Sequence, residues 1–166
     1  FEALVRWTST EHGAVSPSVF IPIAEEGQLI HKIGEWVIDR ALRDCRDWPG
    51  LYVSINISPR QFKRVNLKDL LIRKAAEAGV PHARIQIEVT ETALFENAAN
   101  AITVMQDLKA EGFRIAIDDF GTGYSSLQRI RHLALDCIKI DKSFVDDVGE
   151  DDASQAIVSS IAHLAK

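Results

Sequence analysis

In Arg114-Ile-Ala-Ile-Asp-Asp-Phe-Gly-Thr-Gly-Tyr-Ser-Ser-Leu127 an apolar, β-branched run ends in two adjacent carboxylates, Asp118 and Asp119, followed by a glycine-rich turn. Adjacent carboxylates repel, and enclosing both is costly unless a cation binds them. A divalent metal held by oxygen ligands at a strand end is the simplest solution. Successive side chains of a strand point to opposite faces. Ile115 and Ile117 therefore oppose Ala116 and Asp118.

The same division recurs in three other segments. In Leu51–Ser58, Val53, Ile55 and Ile57 oppose Ser54, Asn56 and Ser58. In Arg84–Glu91, Ile85, Ile87 and Val89 oppose Gln86, Glu88 and Thr90. In Cys137–Asp141, Ile138 and Ile140 oppose Cys137, Lys139 and Asp141. Phe1–Trp7 reads as a further strand, with Glu2, Leu4 and Arg6 on one parity. Helical spacing lies between them. Ser16–Phe20 leads through a proline-containing turn to a helix from near Ile23. Gln28–Trp48 carries Ile33, Val37, Ala41 and Cys45 at helical spacing, and Pro49-Gly50 breaks it. Leu67–Ala78 ends at Gly79, and Ala98–Glu111 at Gly112. Ser125–Leu133 and Ala153–Lys166 complete the helices.

Strand–helix alternation implies parallel strands with helical crossovers. A doubly wound sheet would want apolar residues on both faces. A (β/α)₈ barrel collects polar groups at its C-terminal mouth, and that architecture fits the parity. Five strands are visible, fewer than a whole barrel of roughly 250 residues requires.

Composition narrows the class. The chain has 166 residues, 46% of them hydrophobic and 26% charged, enough for one domain with a real core. A net charge of −5 argues against a nucleic-acid polymer as partner. The sequence contains no bilayer-length apolar run and no signal-peptide pattern, so a cytoplasmic domain is expected. Cys45 and Cys137 read as two buried thiols in a reducing compartment rather than a disulfide. No Cys/His spacing suggests zinc, and the five scattered histidines read as surface or core residues.

The polar faces supply Glu2, Asn56, Glu88 and Asp118, with Asp119 adjacent. Four carboxylates and an amide oxygen form a hard donor set suited to Mg²⁺ or Mn²⁺, with Ca²⁺ as competitor. Asp118-Asp119 can bridge two ions about 3.5–4 Å apart, as in phosphoester hydrolysis, where a bound water has its pKa lowered toward about 7. Lys139 can orient that water, transfer a proton if its pKa is depressed, or neutralise charge. Arg6 can grip a phosphate bidentately. Each residue also has a plain structural reading: Lys139 paired with Asp141, Asn56 capping the turn before Ser58-Pro59, Asp119 as a turn residue, Glu2 as a surface acid. The convergence of five strands on one acidic mouth is what those readings leave unexplained, since a core has no use for several uncompensated acids.

Glu2-Ala3-Leu4 followed by Val-Arg-Trp, Asn56-Ile-Ser58, Glu88-Val-Thr-Glu91, Asp118-Asp-Phe-Gly-Thr-Gly-Tyr-Ser-Ser126 and Ile138-Lys-Ile-Asp141 resemble, in order, the motifs of the EAL domain family. The resemblance implies a modified (β/α)₈ TIM-type barrel with one antiparallel strand. It implies hydrolysis of the bacterial second messenger cyclic di-GMP to linear pGpG with Mg²⁺ or Mn²⁺, two ions in the active state, and Ca²⁺ as an inhibitor. Glu2, Asn56, Glu88, Asp118 and Asp119 would ligate metal, and Lys139 would sit beside the nucleophilic water, making Lys139, Glu2, Asp118 and Asp119 the catalytic group. Arg6 would hold a substrate phosphate and Leu4 would line the pocket. Glu91 would hold the Phe120–Ser126 loop, through which, with the following helix, such domains form homodimers. The family's later Ala-Glu-Gly-Val-Glu and Gln-Gly motifs are not in this sequence. Residues 1–166 are therefore expected to be a partial EAL domain lacking the first strand and the last two, with little activity alone. Fused sensory or GGDEF domains, or a membrane anchor, would lie outside it. The rival function is a cyclic di-GMP receptor or regulatory dimerisation module that does not hydrolyse; the intact acidic set favours the enzyme.

Overall fold

The computed structural model describes residues 1–63, 66–95, 98–121, 133–149 and 151–164. Its main sheet holds β1 (Glu2–Ala3), β4 (Val53–Asn56), β5 (Ile85–Thr90), β6 (Arg114–Phe120) and β7 (Cys137–Ile140). They lie in the order β1-β4-β5-β6-β7, and every pair is parallel. Each described crossover thus leads to the neighbouring strand, as in a βα barrel, and the sheet is an arc of a (β/α)₈ barrel. Between β1 and β4 come the hairpin strands β2 (Trp7–Ser9) and β3 (Gly13–Val15), then helices α1 (Pro17–Glu26) and α2 (Ile30–Arg46). Helices α3 (Pro59–Phe62) and α4 (Leu67–Ala78) follow β4, and α5 (Glu91–Phe95) and α6 (Ala98–Ala110) follow β5. Helices α7 (Lys142–Asp146) and α8 (Asp152–Leu164) follow β7. No helix among the described residues is long and apolar enough to cross a membrane.

The strand parity read from the sequence places the two faces. Ile55, Ile87, Ile115 and Ile117 are buried in a core shared with Ile38 and Leu42 of α2, Leu71 of α4 and Leu108 of α6. The opposite face buries Ser54, Gln86 and Glu88, and these polar groups are hydrogen-bonded to one another. A polar interior and an apolar exterior covered by helices distinguish a barrel arc from a doubly wound sheet.

Four features of the arc differ from the sequence reading. Phe1–Trp7 is not one strand. Only Glu2 and Ala3 pair with Ser54 and Ile55; the chain then leaves the sheet, and Trp7 pairs antiparallel with Val15. Alternating residues look extended in either case, so partner choice was not encoded locally. The first helix begins at Pro17, not near Ile23, because proline at N1 lacks only an N–H that has no helical partner anyway. In α2 the buried stripe is Ile30, Gly34, Ile38, Ala41, Leu42 and Cys45; Ile33 and Val37 are only half-buried. Gly34 turns the stripe, because a Cβ there would overlap the buried Gln61 amide of α3. The short helices α3, α5 and α7 carry too few residues for a periodic signal. The expected Ser125–Leu133 helix, and the loop beyond Gly121, lie outside the described residues apart from Leu133.

Two polar devices brace the arc against its helices. Arg84, just before β5, donates from Nη2 to the Cys45 carbonyl at 2.6 Å and from Nε to the Leu51 carbonyl at 2.7 Å, which closes the C-terminal end of α2. Asp136, just before β7, accepts from the Ile115 N–H at 2.7 Å and from Lys109 at 2.6 and 2.8 Å, tying α6, β6 and β7 together. Both cysteines are free thiols; Cys45 is buried and Cys137 only half-buried.

Candidate active site

Register brings the polar side chains to one level. Asn56 pairs with Glu88, and Glu88 with Ala116. Ala116 contributes only a methyl group, so Lys139 on β7 reaches past it to β5. The Lys139 Nζ lies 2.8 Å from Glu88 Oε2, 3.2 Å from Glu2 Oε2 and 3.5 Å from Asp118 Oδ2. Asn56 Nδ2 donates to Glu2 Oε1 at 2.9 Å, which leaves its amide oxygen as a donor atom for a cation. Ligand oxygens of Glu2, Glu88 and Asp118 all lie within 4.8 Å of one another. The Glu88 side chain is only 1% exposed, so its charge is enclosed on every side.

Asp119 stands next to this group at an irregularity of the strand. Ile117 pairs with Ile138 and Phe120 with Ile140, so three steps along β6 match two along β7. The extra residue is a β-bulge, and Asp119 takes up the distortion at φ +54°. Aspartate is among the few residues that tolerate this left-handed region. The bulge suspends strict alternation, yet the cluster of oxygens within 4.8 Å of one another comprises Glu2, Glu88 and Asp118 without Asp119. Asp119 feels Asp118, Asp141, Lys139 and Glu2.

The electrostatics follow from this crowding. Burial, then the charges of Asp118 and Asp141, push Asp119 above the ordinary carboxylate range, against a smaller opposing pull from Lys139. Burial acts to raise Glu2, but the Asn56 hydrogen bond and the hydrogen bond and charge of Lys139 outweigh it and hold Glu2 low. Burial acts to lower Lys139, but the hydrogen bond and charge of Glu88, with Asp118 and Glu2, hold its ammonium well above the usual lysine range. The depressed pKa that a proton-accepting Lys139 requires is therefore not met in this arrangement. Lys139 acts here as a counter-cation.

Two of the simpler structural alternatives fall away, while Glu2 and Asp119 are both exposed. Asp141 does not pair with Lys139; it caps α7, accepting from the Ser143 N–H at 2.9 Å. Asn56 does not cap the following turn; Ser58 does that, in a reciprocal capping box with Gln61. Glu91 is buried and accepts from the Gly121 N–H at 3.1 Å, at the start of the glycine-rich loop. Only Phe120 and Gly121 of the expected Phe120–Ser126 dimer loop are described. Among the described residues Arg6 forms no ion pair with these acids. Leu4 and Arg6 line a cavity of about 310 Å³ that also borders Asn56, Glu88 and Thr90. Arg6 is exposed and donates to its neighbour, the Val5 carbonyl, at 2.9 Å.

The sequence reading placed Ser54 and Gln86 on the polar face but gave them no part in the site. They form the pair two positions before Asn56 and Glu88, on the same face, and Gln86 Nε2 donates to Ser54 Oγ at 2.8 Å and to Glu88 Oε1 at 3.2 Å. A polar residue two positions before a ligand was the available signal.

An arc of parallel βα units carries at its polar mouth an acidic cluster that could hold a metal ion, beside a cavity lined by Leu4 and Arg6, which is a βα-barrel arrangement. The sequence profile of the EAL domain matches residues 1–166, and the chain belongs to the EAL domain family. It is 42% identical over 167 residues to an uncharacterized signaling protein of Caulobacter vibrioides, covering all of this chain and 21% of that protein. It is 38% identical over 169 residues to the cyclic di-GMP phosphodiesterase PdeR of Escherichia coli K12, covering 99% of this chain and 26% of PdeR. Among solved structures, the PaMucR phosphodiesterase in complex with c-di-GMP superimposes with a TM-score of 0.93 at 38% identity, over 98% of this chain and 68% of that one. The chain thus spans about a quarter or less of the curated relatives named here.

Proposed function

We propose that this chain supplies the acidic metal centre of a cyclic di-GMP phosphodiesterase that yields linear pGpG. The observation that carries the reading is the meeting of Glu2, Glu88 and Asp118, from three strands, with oxygens within 4.8 Å around one ammonium. The relatives named for this activity and the complex with c-di-GMP support it.

The donor set fits Mg²⁺ or Mn²⁺: it is all oxygen, largely anionic and partly buried. Glu2, Asn56, Glu88 and Asp118 would hold one ion, and the Asp118–Asp119 pair would hold a second. When bound, such ions lower the pKa of a coordinated water and polarise a phosphoryl oxygen. The chain's own groups do the rest. Asn56 orients Glu2 through its amide, and Glu88 brings a charge that is already desolvated. Lys139 would stand beside the attacking water, orienting it and offsetting charge on the phosphate. Arg6 and Leu4 border the cavity beside Asn56 and Glu88, where Arg6 would hold the phosphate and Leu4 the base or sugar. Free thiols fit a cytoplasmic setting for this second-messenger chemistry.

The test is to incubate the whole protein carrying this chain with cyclic di-GMP and Mg²⁺ or Mn²⁺ and to separate the products. Linear pGpG is expected, dependent on the added ion, and Glu2→Ala is expected to abolish it. Tight binding of cyclic di-GMP with no turnover would defeat the enzymatic reading in favour of a receptor.

A further inference from the structure

We infer that Gln86 is a positioning residue that fixes Glu88 to bind a divalent cation through one oxygen only, Oε2. The inference rests on the metal reading of the site and adds a residue to it.

Gln86 is 3% exposed and pairs in register with Ser54 on the neighbouring strand. Its amide nitrogen carries two hydrogens, and the structure uses both. One goes to Ser54 Oγ at 2.8 Å and the other to Glu88 Oε1 at 3.2 Å. Glu88 Oε2 faces Lys139 instead, at 2.8 Å. The two carboxylate oxygens are therefore distinguished by their partners: Oε1 is held from within the barrel by Gln86, and Oε2 faces the Lys139 ammonium, where a divalent cation would compete for it. A neutral amide does this without cancelling the charge that a metal needs.

The amide has only one workable orientation. Its own Oε1 is buried with no hydrogen-bond partner among the described residues. Turning the amide over would set that oxygen against Glu88 Oε1, oxygen to oxygen, and would strip Glu88 of its donor. Leaving the Gln86 oxygen unsatisfied costs roughly 1–3 kcal/mol, and the arrangement keeps that cost rather than lose the bond to Glu88. Ser54, buried and fixed by strand pairing, anchors the nitrogen from the other side. Groups that orient a ligand in this way typically change metal affinity by about 10–100-fold when removed.

Mn²⁺ is the probe, added to the metal-free whole protein and followed by titration calorimetry and by the EPR spectrum of the bound ion. Gln86→Met keeps the volume and removes the donor. It is expected to weaken Mn²⁺ binding about tenfold, to alter the EPR line shape, and to raise the Mn²⁺ concentration needed for half-maximal turnover more than it lowers kcat at saturation. Ser54→Ala, which leaves the donor but loosens it, is expected to cause a smaller loss. The double variant is expected to be no worse than Gln86→Met, because both act through one amide. A folded Gln86→Met protein with Mn²⁺ affinity within twofold of wild type overturns the inference. If that variant fails to fold, wild-type affinity in Ser54→Ala overturns it instead. Absence of Mn²⁺ binding by the wild-type protein removes the metal reading and this inference together; binding by wild type with both variants unchanged removes this inference alone.

Discussion

The Lys139 ammonium lies 2.8 Å from Glu88 Oε2, and Glu88 is the most deeply buried acid of the site. The pair joins β7 to β5 across the small Ala116, so one lysine serves as counter-ion to three strands at once. A cation at the carboxylates and the ammonium of Lys139 compete for the same oxygens.

Replacing Lys139 with Met should therefore hurt the metal-free protein most. Breaking a fully buried pair costs roughly 3–5 kcal/mol. Lys139 keeps about a third of its side chain in solvent, so a loss of about 2 kcal/mol is expected after screening. The melting temperature in chelator should fall, and saturating Mn²⁺ should recover most of the difference, because the ion then supplies the missing positive charge. Turnover should stay low even when stability is restored. Equal melting temperatures for Lys139→Met and wild type in chelator would show that the acids do not depend on the ammonium.

Glu91 makes a different kind of link. Its buried carboxylate accepts from the Gly121 N–H, directly after the Asp118–Asp119 bulge. Gly121 has φ +106°, and a Cβ there would press on the Phe144 ring at 2.7 Å. The loop start is thus pinned from two sides. Glu91→Ala should release it, cost about 1–3 kcal/mol for the lost charge-assisted bond, and lower kcat at least tenfold, with Mn²⁺ affinity nearly unchanged. A loss of metal affinity as large as that of Glu2→Ala would make Glu91 a ligand and not a clamp.

The parity of β4, β5, β6 and β7 could be read from the sequence because β-branched residues alternate with small or polar ones, and that alternation survives folding unchanged. The convergence of Glu2, Glu88 and Asp118 was readable for the same reason. What local pattern could not supply was partner choice. Glu2–Ala3 joins the main sheet while Trp7 joins a hairpin, although both stretches look extended. Asp119 depends on a register shift between β6 and β7, a property of two strands that neither strand carries alone. Gln86 looked like another interior polar residue; what register adds is Ser54 opposite it, whose hydroxyl accepts from the same amide that reaches Glu88. The positive shift of Lys139 needed three partners from three strands, between 21 and 137 residues away in sequence.

Asp136 sets the expected acid sensitivity. Burial acts to raise its pKa, but the Lys109 hydrogen bond, the Ile115 N–H and the Lys109 charge hold it below the ordinary value. A group depressed in the folded state binds its proton more readily when unfolded. Its stabilisation is complete above the unfolded value of about 4 and is lost as pH falls through the lower folded value. Glu2, also held low, adds to the same limb. Lys139 works in the opposite sense: its contribution is complete below the unfolded lysine value of about 10.4 and is lost only at strongly alkaline pH. Stability should therefore be flat across neutrality and fall below about pH 4. Asp136→Asn should cost about 1–2 kcal/mol at pH 7 and make the acid limb shallower. Denaturant midpoints measured from pH 2.5 to 7 test this, and an unchanged acid limb in Asp136→Asn would remove Asp136 from the account.

Gly34 is the sharpest steric test of how the helices seat behind the site. It lies on the buried stripe of α2, and an added Cβ would overlap the Gln61 amide. Gln61 cannot swing away cheaply, because its side chain accepts from the Ser58 N–H at 3.3 Å while its own N–H bonds Ser58 Oγ at 3.4 Å. Gly34, Ser58 and Gln61 all border the cavity shared by Leu4, Arg6, Asn56 and Glu88. In an open helix Gly→Ala would stabilise by roughly 0.5–1 kcal/mol. Here overpacking should reverse the sign and cost about 1–3 kcal/mol. The double variant Gly34→Ala, Gln61→Ala should recover much of that loss, since the second change removes the colliding amide, although the capping box is gone. A four-way cycle of melting temperatures measures the coupling. Additive effects, or a stabilising Gly34→Ala, would mean that α2 and α3 are not in close contact at this point.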